Sequence, residues 1–113
     1  MKTLHGRCIK LWRKKLKPFC DSKISPYWRK RDLKAFCREC GVITANSMVE
    51  GMAEGNARVD FQGSGHGWSP EAGKYFDENR EKYIKEAFIY LSEEATDDEI
   101  NDLIDEEISE WYN

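Results

Sequence analysis

Apolar residues near the start of the chain recur at three- and four-residue steps, which is the spacing of one face of an α-helix. This stripe consists of Leu4, Cys8, Leu11, Trp12 and Leu16. Pro18 predicts the end of this helix, because proline inside a helix removes a backbone donor.

A second helix is predicted to begin at Ser25-Pro26, an N-cap residue followed by proline at the first helical position. Its apolar stripe consists of Leu33, Phe36, Cys37 and Cys40. Gly41 is the expected C-cap, since glycine adopts the left-handed conformation that often ends a helix. The first 41 residues therefore predict a basic helical hairpin.

The middle of the chain carries β signals and most of the glycines. Residues 42–45 (Val-Ile-Thr-Ala) favour a strand by propensity, and residues 57–62 alternate apolar and polar side chains. These two segments predict a small β-hairpin. Residues 63–67 (Gly-Ser-Gly-His-Gly) predict a loop.

Two further helices are predicted in the last third of the chain. Ser69-Pro70 gives the start of the first, and Thr96 with Glu99 forms a capping box at the start of the second. The buried face of the first is expected to contain Ala72, Phe76, Tyr83, Ile84, Ala87, Phe88 and Leu91. That of the second is expected to contain Ile100, Leu103, Ile104, Ile108 and Trp111. The short connection between them predicts an antiparallel, acidic helical hairpin.

The fold class expected from these elements is mostly α, with α+β as the alternative. A chain of 113 residues predicts a single domain over residues 1–113. Within it we distinguish a basic half (residues 1–41), a glycine-rich connection (residues 42–69) and an acidic helical half (residues 70–113).

The formal net charge of −3 hides two opposite halves. Residues 1–40 hold 13 Lys and Arg against three acids, whereas residues 41–113 hold five against 18. After Leu91 there are ten acids and no basic residue. Such asymmetry favours charged partners, while the alternative is that the two halves fold together and neutralise each other.

The apolar pattern contains neither a membrane-spanning segment nor a targeting segment. The longest apolar run is residues 87–91, too short to span a membrane, and the first residues have no apolar targeting core. We therefore expect a cytoplasmic protein that makes no membrane contact. In a reducing compartment its four cysteines are expected to be thiols or metal ligands rather than disulfides.

The cysteines allow two interpretations. Cys37 and Cys40 form a Cys-x2-Cys pair, and with Cys8 and Cys20 they could supply the four ligands of a zinc site, with His5 as a substitute for Cys20. Alternatively, the cysteines on the two apolar stripes pack as small core residues, and no cofactor is bound.

Two segments place an aromatic residue beside a run of cations, a combination suited to phosphates and stacked bases or to an acidic protein groove. The candidate binding residues are Arg13, Lys14, Lys15, Lys17, Trp28, Arg29, Lys30 and Arg31. The alternative is that Trp12, which precedes the first run, belongs to the core and that the lysines form a solvated face.

The last helix carries more acids than its N-terminus needs. Those that could face a basic partner are Asp98, Asp102, Asp105, Glu106 and Glu110. The alternative is a solvated face that keeps the protein soluble.

No catalytic motif accompanies these surfaces. His66 has no nucleophile or carboxylate motif beside it, so we expect a protein that is not an enzyme. The leading hypothesis is a small regulator or inhibitor that docks on a larger nucleic-acid-processing protein. The alternative is a module that binds nucleic acid directly, with zinc at the cysteines as an optional stabiliser.

Overall fold

The computed structural model of the chain describes residues 3–21, 30–63, 65 and 67–110, without the side chains of residues 18–21 and 30–33. These ranges contain five helices: α1 (Leu4–Asp21), α2 (Lys30–Gln62), α3 (Pro70–Glu78), α4 (Arg80–Glu94) and α5 (Asp97–Glu110). None of the described residues lies in a strand. The prediction of a mostly α fold is therefore confirmed. The arrangement of the helices as one basic and one acidic hairpin stays a prediction.

The predicted β-hairpin is not confirmed, because residues 42–45 and 57–62 both lie within α2. Small side chains at four-residue spacing, Ala45, Val49, Ala53 and Ala57, are all buried along this helix. Burial of a continuous helical face thus outweighs the local β propensity of the two segments. Among the described residues of the predicted glycine-rich connection, only residues 63, 65 and 67–69 lie outside a helix.

Three predicted helix ends also differ from the structure. α1 continues beyond Pro18 to Asp21, and α2 continues through Gly41 instead of ending there. The helix predicted from Pro70 to Leu91 is divided at Asn79. The Asn79 backbone N–H donates to the Tyr75 and Phe76 carbonyls, and its side-chain amide donates to the Tyr75 carbonyl, so this residue closes α3.

Two of the three predicted helix starts are confirmed, and the third, Ser25-Pro26, lies outside the described residues. The Ser69 hydroxyl accepts a hydrogen bond from the Ala72 N–H, and Pro70 follows it at the start of α3. The Thr96 hydroxyl accepts from the Glu99 N–H at 3.1 Å at the start of α5. Both caps satisfy backbone donors that the first helical turn leaves unpaired.

The chain divides into two compact units, and α2 contributes residues to both. Unit 1 comprises residues 1–46 and 95–113, and unit 2 comprises residues 47–94. The expectation of a single domain over residues 1–113 stays a prediction.

Unit 1 is built from α1, the first part of α2, and α5. The predicted apolar stripe of α1 is buried, and Trp12 is fully enclosed. Ile100 and Ile104 of α5 are also fully buried, and α1 packs against α5. The predicted core faces of α1 and α5 are therefore the faces that meet in this unit.

Gly41 allows α2 to cross α1 at very short range. A Cβ atom placed on Gly41 would lie 2.6 Å from the Ile9 Cα atom and 2.7 Å from its backbone nitrogen. Separations this short do not occur between real atoms, so any side chain would force the two helix backbones apart. Gly41 therefore serves helix packing, where the sequence pattern predicted a helix terminus.

Unit 2 contains the second part of α2 together with α3 and α4. Its buried residues include Phe76, Tyr83 and Leu91. The Tyr83 hydroxyl donates to the Asp60 carboxylate at 2.6 Å and lies 2.9 Å from the Tyr75 hydroxyl. These hydrogen bonds link α4 to α2 and α3 around the apolar core, and the bond to Asp60 is the main cause that raises the pKa of Tyr83.

We expect Gly41→Ala to lower the free energy of unfolding by about 1–3 kcal/mol, the usual cost of forcing extra atoms into a packed contact. Gly51→Ala is the matched control, because Gly51 lies in the same helix and a methyl group added there would have nothing within 4 Å. There the better helix propensity of alanine should stabilise the protein by up to about 1 kcal/mol. Urea denaturation followed by circular dichroism measures both changes. Equal effects of the two substitutions would contradict the close helix crossing.

Candidate functional site

Ion pairs join the basic helix α1 to the acidic helix α5 in unit 1. The Arg7 guanidinium lies 2.9 Å from an Asp97 carboxylate oxygen and donates to the Ala95 carbonyl at 2.6 Å. The Lys15 ammonium lies 2.6 Å from an Asp105 oxygen. Part of the charge asymmetry along the sequence is therefore neutralised inside the fold.

Asp97 is held in its charged form by this arrangement. The hydrogen bond from Arg7 is the main cause that lowers the pKa of the Asp97 carboxyl, and the charges of Lys14 and Lys10 add to it. The carboxylate and the Ala95 carbonyl together hold the Arg7 head at the start of α5. Lys15 and Asp105, which sequence analysis assigned to opposite binding surfaces, instead bind each other.

A polar network crosses the core of unit 1. The buried Trp12 Nε1–H donates to the Thr44 hydroxyl at 2.9 Å. The same hydroxyl donates to the Glu107 carboxylate, with its oxygen 3.1 Å from Oε1 and 3.2 Å from Oε2. One side chain from each of α1, α2 and α5 thus meets at Thr44, which is nearly inaccessible to solvent.

Glu107 has a partly buried carboxyl group. None of the described groups that shift its pKa is a cation. Desolvation is the main cause that raises this pKa, the Thr44 hydrogen bond opposes it, and the Glu110 charge reinforces it. Sequence analysis did not single out Thr44 or Glu107. Their only signal in the sequence is their helical register with the buried stripes.

The described cysteines are buried or half-buried, and their thiols are not activated. Cys8 and Cys37 are fully buried, and Cys40 is half-buried. Burial raises the pKa of Cys8 and of Cys40 to about 11 in each case, so these thiols stay protonated near neutral pH. Protonated thiols pack as small apolar groups and are weak nucleophiles.

The zinc hypothesis stays untested. Among the described residues, no group of three or more histidine, cysteine, aspartate or glutamate side chains is arranged to hold a metal ion. The side chain of Cys20, the fourth proposed ligand, lies outside the described part of the chain.

An open groove of about 900 Å³ lies on the surface of unit 1. Arg13 of α1 lines it, together with residues of α2 that recur at four-residue steps. The lining residues from α2 are Lys34, Ala35, Arg38, Glu39, Val42 and Ile43. The groove combines three cations with the apolar side chains of Ala35, Val42 and Ile43, and Ile43 is 52% exposed.

Of the candidate basic residues whose side chains are described, Arg13 is the one that lines this groove. Lys14 and Lys17 are exposed on α1, and Lys15 is engaged with Asp105. Trp28 and Arg29 lie outside the described residues, as do the side chains of Lys30 and Arg31. Lys34 and Arg38 were not among the candidates, although their four-residue spacing places them on one face of a continuous α2.

The solvent-exposed residues of α5 are all aspartate, glutamate or serine. All five candidate acids, Asp98, Asp102, Asp105, Glu106 and Glu110, are among them. Glu110 and Glu107 also line a cavity of about 320 Å³ that shares Glu39 and Ile43 with the groove. Unit 1 therefore presents an exposed helix face of acids and one serine, and a groove lined mainly by cations and apolar groups, which this cavity adjoins on the side of Glu110.

The histidine considered for catalysis, His66, lies outside the described residues. Comparison of the chain with protein-family models, with curated proteins and with solved structures finds no match. No described helix combines the length and the apolar character needed to cross a membrane.

We expect Glu107→Gln to stabilise the protein at pH 7, because glutamine still accepts the Thr44 hydrogen bond and removes a partly buried charge. The folded-state pKa of Glu107 is raised, so its charge destabilises the fold above that pKa and the effect disappears as pH falls through it. The advantage of the variant should therefore shrink as pH falls toward the ordinary glutamate pKa of about 4.3.

Denaturation midpoints at several pH values measure this difference. Glu106→Gln is the matched control, because it removes the same charge from an exposed neighbour on the same helix. If the control stabilised the protein as much as Glu107→Gln does, burial of Glu107 could not be the cause.

Proposed function

We propose that this chain is a non-enzymatic binding protein, a small regulator or inhibitor that docks on a larger nucleic-acid-processing protein in the cytoplasm. The observation that carries the proposal is the exposed face of α5, which consists of aspartate, glutamate and serine side chains only. A surface that binds nucleic acid is rich in Lys and Arg, so an acidic helical face is complementary to it.

Three features of α5 support a binding role over simple solvation. Its inward side is fixed by buried Ile100 and Ile104, so the exposed acids are presented on a rigid element. Its ion pairs to α1 use Asp97 and Asp105, whereas Asp102, Glu106 and Glu110 lie on the remaining exposed surface. Like charges at four-residue spacing also cost helix stability, which a partner with basic side chains would relieve.

In the test, the full chain is immobilised and exposed to a nuclease-treated extract of the cells that produce this protein. Proteins from the extract that bind the chain are then captured. The triple variant Asp102→Asn, Glu106→Gln and Glu110→Gln should lose the captured partner, because it removes the acidic face and leaves the α1–α5 ion pairs in place. Capture should also be lost when a competing oligonucleotide is added, since both ligands would need the same basic surface. Mass spectrometry of the captured proteins measures the effect.

The matched control neutralises three exposed acids of unit 2, with Glu78→Gln, Glu86→Gln and Glu93→Gln. This variant should retain the partner. The proposal is contradicted if both triple variants bind equally, or if the captured protein does not act on nucleic acid.

A direct nucleic-acid-binding module is the second candidate, and it is favoured by the exposed cations Arg13, Lys14 and Lys17 on α1 with Lys34 and Arg38 on α2. It predicts binding of fluorescent single- or double-stranded DNA or RNA with a steep dependence on salt, because phosphate contacts release counterions. Arg13→Gln with Lys14→Gln should then lower the slope of the log–log salt plot by about 2.

Lys74→Gln with Lys85→Gln, two exposed cations of unit 2, serves as the control for this titration. Absence of binding at low salt would exclude the direct module and leave a protein partner as the function to be sought.

A further inference from the structure

The groove of unit 1 has two chemically different ends. Along α2, Lys34 and Arg38 are followed one turn later by Val42, and Ala35 and Glu39 are followed by Ile43. Since one helical residue rises 1.5 Å, the lining stripe from residue 34 to residue 43 extends for about 14 Å. Lys34 and Arg38 therefore lie toward one end of the stripe, and the half-buried Val42 and the exposed Ile43 lie at the other.

We propose that this groove is a docking site for an acidic segment of a partner protein whose apolar side chains cover Val42 and Ile43. Carboxylates of that segment would pair with Lys34 and Arg38 and with Arg13, which faces the groove from α1. The inference rests on the proposed function, because it takes the chain to be a binding protein. The docking site lies on a surface other than the acidic face of α5.

Charge complementarity selects the occupant. Among the described residues that line the groove, three are cations and one, Glu39, is an acid. The adjoining cavity, which shares Glu39 and Ile43 with the groove, adds Glu107 and Glu110. The acids of the occupant must therefore lie over Lys34 and Arg38. Over the Ile43 end the occupant needs apolar groups instead of acids.

A nucleic acid fits this groove less well than a peptide segment does. Single strands bind through phosphate contacts together with stacking on aromatic side chains, and none of the described lining residues is aromatic. Glu39 and the neighbouring Glu107 and Glu110 would repel phosphates at the apolar end. Val42 and Ile43 would stay uncovered by a sugar–phosphate backbone.

A second copy of the chain docking through α5 is also a poor occupant. The exposed face of α5 has the charge that would match Lys34 and Arg38, but it offers only aspartate, glutamate and serine side chains. It therefore has no apolar group to cover Val42 and Ile43. Burial of apolar area is what a short docked segment needs to offset its loss of conformational freedom.

The test uses fluorescent peptides about 12 residues long, enough for the polar and apolar halves of the groove, and anisotropy titration of the full chain. The probe carries Glu and Asp in one half and Leu and Phe in the other. Two matched peptides replace either the acids by Lys or the apolar residues by Ser. We expect the probe to bind at least about tenfold more tightly than either matched peptide, a difference that corresponds to one lost anchor or charge contact.

Groove variants then locate the binding. Lys34→Glu with Arg38→Glu, and separately Ile43→Ser, should each weaken binding of the probe by about tenfold or more. Two variants of unit 2 are the matched controls. Lys74→Glu with Lys85→Glu matches the double variant, and Ile89→Ser matches Ile43→Ser, because Ile89 is 49% exposed and Ile43 is 52% exposed. All variants change exposed side chains, and circular dichroism with urea denaturation confirms that each is folded.

Two results with the peptides would overturn the proposal: the probe does not bind, or the lysine peptide binds as tightly as the probe. Two other results would also overturn it: a single-stranded oligonucleotide binds the same groove residues more tightly than the probe, or the chain self-associates in sedimentation and the groove variants do not. The last two would assign the groove to nucleic acid or to a second copy. Because these variants leave α5 unchanged, partner capture through the acidic face can succeed while the groove test fails.

Discussion

The contact on which unit 1 depends is the crossing of α1 and α2 at Gly41. With no side chain at this position, the α2 backbone approaches the Ile9 backbone closely enough that a single added carbon atom would collide with it. This approach is what allows the Trp12 indole of α1 to reach the Thr44 hydroxyl of α2 at 2.9 Å. Thr44 in turn holds Glu107 of α5, so the three helices share one polar contact inside an apolar core. Displacement of one helix would leave buried polar groups without partners, which costs more free energy than the hydrogen bonds themselves contribute.

The charge arrangement of unit 1 follows from the same packing. α1 lies against α5, and Arg7 and Lys15 are placed opposite Asp97 and Asp105. Exposed pairs of this kind contribute little stability by themselves, so their main effect is to determine which charges stay available at the surface. The acids left on the outer face of α5 and the cations left around the groove point away from this contact. Two surfaces of opposite sign are thereby presented by one small core.

The sequence predicted the faces that are buried better than it predicted where helices end. The stripe of α1, the buried Ile100 and Ile104 of α5 and the caps at Ser69 and Thr96 follow from local chemistry, and the structure has them as expected. Leu103 and Ile108 of the predicted α5 stripe are half-buried, and Trp111 lies outside the described residues. The segments predicted as strands, residues 42–45 and 57–62, are helical because local propensity does not register the buried series of Ala45, Val49, Ala53 and Ala57. The sequence predicts a helix terminus at Gly41 because a close helix crossing and a C-cap favour the same residue. Lys34 and Arg38 were missed as groove residues for a related reason, since their position relative to Arg13 depends on how two distant helices pack.

The distribution of contacts along the chain has a consequence for the order of folding during synthesis. Unit 2 consists of one continuous stretch, residues 47–94, whereas unit 1 is completed by contacts such as Arg7 with Asp97, 90 residues apart. Closing a long loop costs more chain entropy than closing a short one, and a ribosome delivers the N-terminal helix first. Unit 2 is therefore complete while α1 still lacks α5. During that interval α1 can pack on α2, but the part of its surface that α5 covers stays exposed, so the nascent chain presents an apolar helix face that a chaperone could bind.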